Sequence, residues 1–406
     1  MHDVSPALVL FTLATVMPAQ TFVVDPANGP GTHFTNLQTA LTAVPDGATL
    51  IVRAGSYGPI ELNGKGVTIV GGSGVMLSGL DRPAIHVTNL APHQSFSLRG
   101  AFMGWANPGA QVHFAGNAGR VLLQEFTYAH TTSPWLASFG SPPPSGILVE
   151  NCAQVALRNC SVFASNAIDA IGSHLDLESC TLRGTGSTTV SYHNPVHAGT
   201  PALRLQSCTA RVAVCSLTGG PGPLLSRLPS AAIATNASVL SLGGQTTVVA
   251  GTPIGITVAV PAITGSGSLR RDPLVFLAPN GGAPAILGSL VDTVQPWPTV
   301  ISTGGQLGLP ATAQVRGANG ELVILCVSFP GTPSVIPEVN GRVWLDTNFL
   351  EVVALGTQSN SAPIAFTAVM PVSPALAGRP RAWQAVSWSS QLGLQASNAS
   401  LFVLRP

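Results

Sequence analysis

Apolar residues at intervals of three and four predict one short helix near the start of the chain. The stretch 33–44 places five of them on one face: Phe34, Leu37, Ala40, Leu41 and Val44. Thr35 is the predicted N-cap, and Pro45-Asp46-Gly47 turns the chain after the helix. An amphipathic helix must bury its apolar face, and the open end of a stack of strands needs such a cover.

Short apolar strands then recur along the chain. Seven segments share one pattern: an apolar residue, any residue, a turn residue and an inward position. They end at residues 72, 101, 126, 160, 180, 215 and 245, so the steps are 29, 25, 34, 20, 35 and 30 residues. A second set of strands begins near residues 84, 146, 167, 202 and 231. Repeats of strands and turns without helices are typical of a β-solenoid.

The pattern changes near Pro261. The stretch 263–273 is rich in Gly and Ser and ends in an Arg-Arg pair followed by Asp and Pro, which indicates a boundary. Beyond it, alternating segments separated by turns suggest a small β-sandwich: 311–315, 321–327, 342–345, 364–368, 382–386 and 401–404. The predicted domains are a signal peptide at 1–20, a β-helix at 21–262, a linker at 263–280 and a β-sandwich at 281–406.

The first residues resemble an export signal. Residues 6–16 are apolar, and the small or polar run Met17-Pro18-Ala19-Gln20 follows them. This length suits a signal peptide and is too short to span a bilayer. The first five residues have no Lys or Arg, so a buried first strand is the alternative. No later stretch has the roughly 18 apolar residues of a membrane span. We therefore expect a secreted or cell-surface protein without a membrane span in the mature chain.

Composition excludes some classes of function. The chain has 17 basic and 16 acidic residues and no basic run, which argues against electrostatic binding of nucleic acid. Charged residues are only 8%, and 44 Gly with 34 Pro suit many short strands and turns. None of the six cysteines forms a CxxC pair, so zinc spacing is absent. No cofactor is expected, and the chain is expected to be a monomer.

Two stretches resemble known families. The opening VVDPANGPGTHFTNLQTAL, with VPDGATLIVRAGSYGPIELNGKGVTIVGG after it, resembles the first coil and cap of the pectin-lyase-like superfamily of right-handed parallel β-helices. The turns LRNC and LESC resemble its Asn and Cys ladders. This likeness covers about residues 21–260 and implies the fold; that fold hosts many activities. Residues 339–404 are similar to a C-terminal appendage shared by secreted proteins of environmental bacteria, which implies export or attachment.

The cysteines fall into two columns of the predicted stack. Cys160, Cys180 and Cys215 share one repeat position, so coils would place them about 4.8 Å apart. These thiols are expected to be free and buried, where they would fill the core. The alternatives are a disulfide within the column and a metal-binding or catalytic thiol. Cys152 and Cys208 belong to the other strand set and lie two coils apart.

Two long insertions follow the same type of strand and should leave the stack at one corner. They carry His130 and Trp135 in one case and Tyr192, beside Arg183, in the other. Aromatic faces and polar groups suit sugar rings, so these four residues are the predicted ligand-binding set. The alternative is that both loops serve only as cover and that their histidines are solvated.

The sequence has few candidates for acid–base catalysis. Glycoside hydrolysis usually needs two carboxylates about 5–9.5 Å apart, and the predicted solenoid has few acidic residues. The catalytic candidates are Asp169, Tyr192, His193 and His197. Pectate lyases of the superfamily hold calcium with an Asp cluster, which this chain lacks, so no metal is expected. A metal-free lyase is the enzyme hypothesis. His86 and His113 lie in apolar strands and are predicted to be core histidines.

Three functions remain open at this point. The first is a secreted β-helix protein that binds polysaccharide or a cell-surface component without catalysis. The second is a carbohydrate-active enzyme, a polysaccharide lyase before a glycoside hydrolase. The third is a purely structural surface repeat protein.

Overall fold

A long stack of parallel strands forms most of the molecule. The computed structural model describes residues 20–79, 82–104, 111–129, 145–186, 199–222, 229–252, 258–346, 348, 350–359 and 362–405. Within these, 24 strands between Thr21 and Val294 pair only in parallel. They wind into the predicted right-handed parallel β-helix. The predicted signal peptide lies outside the described residues, apart from Gln20.

Each coil contributes strands to three parallel sheets, named A, B and C in chain order. The strands of sheet A are Thr21–Val24, Ala48–Val52, Val67–Gly71, Gln154–Arg158, His174–Glu178 and Thr209–Ala213. Those of sheet B are Gly55–Tyr57, Val75–Leu77, Ser161–Ala164, Thr181–Gly184, Ser216–Thr218, Thr247–Val249 and Phe276–Ala278. Those of sheet C are Ile60–Asn63, Ile85–Thr88, Val112–Ala115, Ile147–Glu150, Ile168–Ile171 and Leu203–Gln206.

Five longer strands bend and belong to two sheets. Ser95–Gly104 and Arg120–Ala129 run from sheet A into sheet B, while Ile233–Gly243, Ile263–Arg271 and Ile286–Val294 run from sheet C into sheet A. Apolar side chains from all three sheets point inward and form one continuous core. The register confirms the predicted repeat, because Leu98, Leu123, Leu157, Leu177, Val212 and Leu242 pair in succession.

The predicted helix covers the first coils. It spans Leu37–Ala43 and buries Leu37, Ala40 and Leu41 in the solenoid core. The N-cap is Asn36 and not Thr35, since the Asn36 side chain accepts a hydrogen bond of 2.9 Å from the Thr39 amide. The apolar periodicity located the helix correctly, and the capping contact was one residue away from the predicted one.

Two of the three corners are tight. Between sheets A and B, one residue with positive φ turns the chain in successive coils, as at Asn159 and Ser179. Between sheets C and A, Asn151 and Ser207 do the same. Asn suits this left-handed conformation because its short polar side chain bonds locally. The two longest connections, from Ala129 to Ile147 and from Gly184 to Leu203, both run from sheet B to sheet C.

The cysteine columns lie at the tight corners. The Cys180 amide donates to the Cys215 sulfur at 3.3 Å, and the Ser173 amide donates to the Cys208 sulfur at 3.4 Å. Ser173 lies between Cys152 and Cys208, as the predicted two-coil separation requires. All six cysteines are buried free thiols that fill the core; Cys208 and Cys215 accept from backbone amides, and Cys160 and Cys180 donate to backbone carbonyls.

The predicted linker is wrong. Residues 263–271 pair with the preceding coil and 286–294 pair with them, so the parallel stack continues to Val294. The Gly and Ser residues that suggested a linker lie inside a strand. Gly265 and Gly267 are needed there because a Cβ at either position would overlap the backbone of the coil below.

Beyond Val294, the described residues form small sheets that are antiparallel except for the parallel pairing of Val339–Asn340 with Gly393–Val403. Three strands, Thr299–Ser302, Pro310–Arg316 and Ile364–Val369, form one sheet. A second has the order Val339–Asn340, Gly393–Val403, Pro380–Ser389, Leu322–Ser328 and Glu351–Thr357, and a third pairs Pro330–Val335 with Arg342–Leu345. One short 3-10 helix spans Pro374–Leu376. The first two sheets share a core that includes Val315, Leu325 and Trp383.

These sheets pack on the outer face of sheet A. Val70, Leu122 and Ala156 of the solenoid share a second small core with Trp344 and Leu401. The strand Gly393–Val403 lies across successive coils and contacts their outward side chains. Sheet A is therefore covered over much of its length, and sheets B and C keep outer faces that the C-terminal sheets leave open.

Candidate functional site

The outer face of sheet C carries a row of polar side chains. Glu61, His86 and His113 occupy the same position in three successive coils, and Asp169 and Arg204 occupy it two and three coils later. The row is partly exposed, and the two longest connections rejoin sheet C at Ile147 and Leu203, in the strands that carry Glu150 and Arg204. We call these five residues, with Glu150, the polar row.

Two histidines stack at the centre of the first half of the polar row. The His86 and His113 rings are nearly parallel, at 11°, with centroids 5.0 Å apart. His113 Nε2 lies 2.8 Å from Glu150 Oε2, and His86 Nδ1 lies 3.9 Å from Glu61 Oε1. Each imidazole therefore has a carboxylate on its outer side. The prediction of core histidines is wrong, because both side chains point outward from strands whose neighbours are buried.

An ion pair forms the second half of the row. Asp169 is 5% exposed, and its carboxylate accepts from Arg204 Nε at 2.8 Å and from Arg204 Nη2. Ser145 donates to the same carboxylate at 3.4 Å. The strand register brings the two together, since Asp169 pairs directly with Arg204 in the next coil. Arg204, which the sequence did not single out, therefore holds Asp169 in place, and the catalytic role of Asp169 stays a prediction.

The two halves of the polar row differ in their pKa shifts. Burial lowers the pKa of His86, and the neighbouring His113 lowers it further, while Glu61 acts in the opposite direction. The hydrogen bond with Asp169 raises the pKa of Arg204. The first half therefore holds a histidine, His86, that binds a proton less readily than usual, and the second half is a fixed ion pair.

Among the other predicted site residues, the structure describes only Arg183. Arg183 lies on sheet B, where its guanidinium stacks 4.9 Å above the Phe163 ring, and it does not join Asp169. His130, Trp135, Tyr192, His193 and His197 lie outside the described residues. Their roles stay predictions. The sequence did contain a signal for the histidine pair, because His86 and His113 each follow the first apolar residue of a sheet C strand.

The polar row lies apart from both cavities found beside the C-terminal sheets, and the described part of the chain has no cluster of metal-binding residues. This part contains no group of three or more His, Cys, Asp and Glu that could hold a metal ion. Stacked imidazoles also cannot share one metal easily, since each nitrogen lone pair points along its own ring plane. Two small cavities lie between the solenoid and the C-terminal sheets, and neither is lined by the polar row. No described helix is long and apolar enough to cross a membrane.

Comparisons with known proteins add little. No family model matches the chain, and no curated protein does. The enzymatically active domain of tailspike protein 2 of bacteriophage CBA120 has 10% identity and a TM-score of 0.37, over 95% of this chain and 76% of that chain. Full-length tailspike protein 2 from Escherichia coli O157:H7 bacteriophage CAB120 has 10% identity and a TM-score of 0.29, over 92% of this chain and 61% of that chain. These are weak likenesses, and the fold described above rests on strand pairing.

Proposed function

We propose that this protein is secreted and binds a polysaccharide or a cell-surface glycan along sheet C, as a member of the pectin-lyase-like superfamily. One observation carries the proposal: the polar row is partly exposed, whereas the outward ionisable groups of sheet A are covered by the C-terminal sheets. A row that repeats with the coils can contact successive units of a linear polymer.

The chemistry of the row suits sugars. Carboxylates accept hydrogen bonds, an arginine donates them, and neutral imidazoles do both, which matches the hydroxyl groups of a glycan. The row has no aromatic platform of its own. The loop residues His130, Trp135 and Tyr192 are proposed to supply stacking contacts beside it, together with Arg183 at the end of its sheet B strand.

Retention on immobilised polysaccharides tests this function. The wild-type chain and a Glu61→Gln/His113→Gln variant would be passed over a panel of acidic and neutral glycans. We expect the variant to bind at least tenfold more weakly, a change of about 1.4 kcal/mol. Thr181→Ala is the matched control, because Thr181 is exposed on sheet B. No retention of the wild type on any glycan would leave the structural-repeat function as the better account.

The domain organisation completes the proposal. Residues 1–20 are proposed to direct export and to be removed, and the C-terminal sheets to form the sandwich-like appendage of secreted proteins. N-terminal sequencing of the chain recovered from culture medium would test the first point. A mature chain that still begins at Met1, or one that stays in the cells, would contradict it.

A further inference from the structure

We propose that a monatomic halide such as chloride binds beside Arg120, in the smaller of the two cavities between sheet A and the C-terminal sheets. This cavity lies apart from the polar row, so the inference does not depend on the proposed glycan binding. The ion links the solenoid to the C-terminal sheets, because hydrogen-bond donors from both line the cavity.

Three successive coils of sheet A form one wall of this cavity. Ser95, Arg120 and Gln154 occupy the same strand position in these coils, because Arg120 pairs with both of the others. All three residues line the cavity, and Ser97 lines it two positions further along the first of the three strands. Neighbouring coils lie about 4.8 Å apart, so the stack brings these polar side chains to one place.

The C-terminal sheets form the opposite wall. It contains Trp344, from the strand Arg342–Leu345, together with Pro330, Pro380 and Leu401. Trp344 is 2% exposed and belongs to the small core that the C-terminal sheets share with the solenoid. Among the described residues of this wall, its indole N–H is the only polar side-chain group.

The described part of the chain offers no partner to three buried donors at this cavity. They are Arg120 Nε, Gln154 Nε2 and Trp344 Nε1, and none of these atoms is in contact with bulk solvent. A buried donor without a partner is destabilising, and an ordered water or ion usually satisfies such a group in native proteins. Three of them at one cavity therefore indicate a common occupant that accepts hydrogen bonds.

Arg120 also lacks a counter-charge at this cavity. On the same sheet, the buried Arg158 pairs with Glu178, whereas Arg120 belongs to no ion pair within the described residues. Burial lowers the pKa of Arg120, and the charge of Asp346 acts in the opposite direction. A buried guanidinium is stable only beside an anion, and none of the described residues that line the cavity is acidic.

The size of the cavity and the nature of its donors select the ligand. The centre of a water-sized sphere can occupy only about 10 Å³, which is room for one water molecule or monatomic ion and too little for phosphate, sulfate or a sugar. Guanidinium and indole N–H groups donate hydrogen bonds and cannot accept them, so they repel a metal cation. A water molecule would accept from two of the donors and leave the charge of Arg120 uncompensated. A halide accepts from all of them and supplies the missing charge.

Anomalous diffraction locates the ion directly. Crystals of the full chain would be grown in sodium bromide, and we expect a bromide peak within hydrogen-bonding distance of Trp344 Nε1 and Arg120 Nε. An ordered water at that position without an anomalous signal would overturn the proposal. Bromide that occupies the cavity in the crystal but has no effect in solution would be an adventitious ion only, and this result would overturn it too.

Thermal unfolding measures the effect in solution. Wild type, Trp344→Phe, Arg120→Met and Trp388→Phe would be compared in sodium chloride and in sodium gluconate at the same ionic strength. Gluconate screens surface charges equally well and is too large for the cavity. We expect chloride to raise the melting temperature of the wild type by at least about 1 °C relative to gluconate. Trp344→Phe and Arg120→Met should lose this rise, because each removes a donor to the ion.

Trp388→Phe is the matched control for the indole N–H. Trp388 lies on the C-terminal sheets, is 49% exposed and does not line the cavity, so its variant should keep the full response to chloride. Effects of the salts on the rest of the protein are the same in both tryptophan variants and cancel between them. Trp344→Phe keeps an aromatic ring in the shared core, so the result does not depend on whether Arg120→Met folds. An equal response in the two tryptophan variants, or none in the wild type, would overturn the proposal.

Discussion

Sheets A and C are two faces of one solenoid, and both present ionisable side chains outward. On sheet A, Arg158 and Glu178 are each 2% exposed and form an ion pair. On sheet C, Glu61 is 58% exposed and His113 is 23% exposed. The residue types alone do not distinguish the two faces. What differs is that the C-terminal sheets cover one face and leave the other open.

The C-terminal sheets are held on sheet A by hydrogen bonds to individual side chains. The strand Gly393–Val403 runs along the stack, so alternate residues of its backbone meet successive coils. The Val403 amide donates to Gln124, the Ala399 amide donates to Asp176, and the Ser397 carbonyl accepts from Arg211. Buried charges are stabilising only when they are paired and hydrogen-bonded, so this face is built as an internal interface. The difference teaches that a polar row is a candidate site only where water and ligands can reach it.

Breaking the buried pair on sheet A should have the largest effect. Arg158→Met removes the partner of Glu178 and a donor to the Ser302 carbonyl. Since Glu178 and the Ser302 carbonyl would stay buried without this donor, we expect the free energy of unfolding to fall by about 3–5 kcal/mol. Denaturant unfolding measures it. Arg82→Met, which breaks an exposed pair on the open side, is the control and should cost less than about 1 kcal/mol. Similar losses in both variants would contradict the comparison.

The second largest loss of stability is expected when one carbon is added at the covered face of sheet A. A Cβ at Gly243 would overlap the ring of Trp297, which is buried and donates to the Ala396 carbonyl. We expect Gly243→Ala to lower the free energy of unfolding by about 1–3 kcal/mol through overpacking. Gly72→Ala is the matched control, since no atom lies within 4 Å of its added Cβ. An unchanged melting temperature for Gly243→Ala would show that the cover is loose.

The pH dependence of stability should come mainly from the covered face. Burial raises the pKa of Asp176 and of Glu178 to about 7, from ordinary values of 3.8 and 4.5. The folded chain therefore holds these protons between about pH 4 and pH 7, where the unfolded chain releases them. Their contribution to stability falls as pH rises through that window and is level above it.

Unfolding curves from pH 5 to pH 8 would measure this trend. For Glu178→Gln, which cannot ionise, we expect a pH dependence shallower by on the order of 1 kcal/mol over the same range. Thr181→Ala on sheet B is the control, because an exposed threonine does not ionise, and it should keep the wild-type slope. An unchanged slope for Glu178→Gln would mean that the carboxyl is ionised in the folded protein throughout this range.

The smallest effect on stability is expected at the open face. Glu61→Gln keeps the shape of an exposed side chain and should change the free energy of unfolding by less than about 0.5 kcal/mol. The same variant should weaken glycan retention. A variant that loses stability but keeps retention would reverse the roles assigned to the two faces.

Local pattern was sufficient for most of the solenoid. The period of the helix, the recurrence of Leu157-Arg-Asn-Cys160 and Leu177-Glu-Ser-Cys180, and the six C-terminal segments all correspond to observed elements. These signals are local, because inward positions and left-handed turn residues must recur in every coil. The predicted domain boundary near Pro261 was wrong because it also rested on a local signal. Gly265 and Gly267 look like a linker by composition, and only the neighbouring backbone shows why they lie in a strand.

The candidate site depended on contacts between coils. The sequence by itself determined that a parallel β-helix with a capping helix forms, that two long insertions share a corner, and that Asp169 has a placed side chain. Only the tertiary structure decided that Asp169 pairs with Arg204, that His86 stacks on His113, and that sheet A is covered while sheet C is not. These partners lie between 27 and more than 200 residues apart along the chain. Loop lengths vary between coils, so the repeat pattern that aligned sheet A does not by itself give the partners on sheet C or beneath the C-terminal sheets.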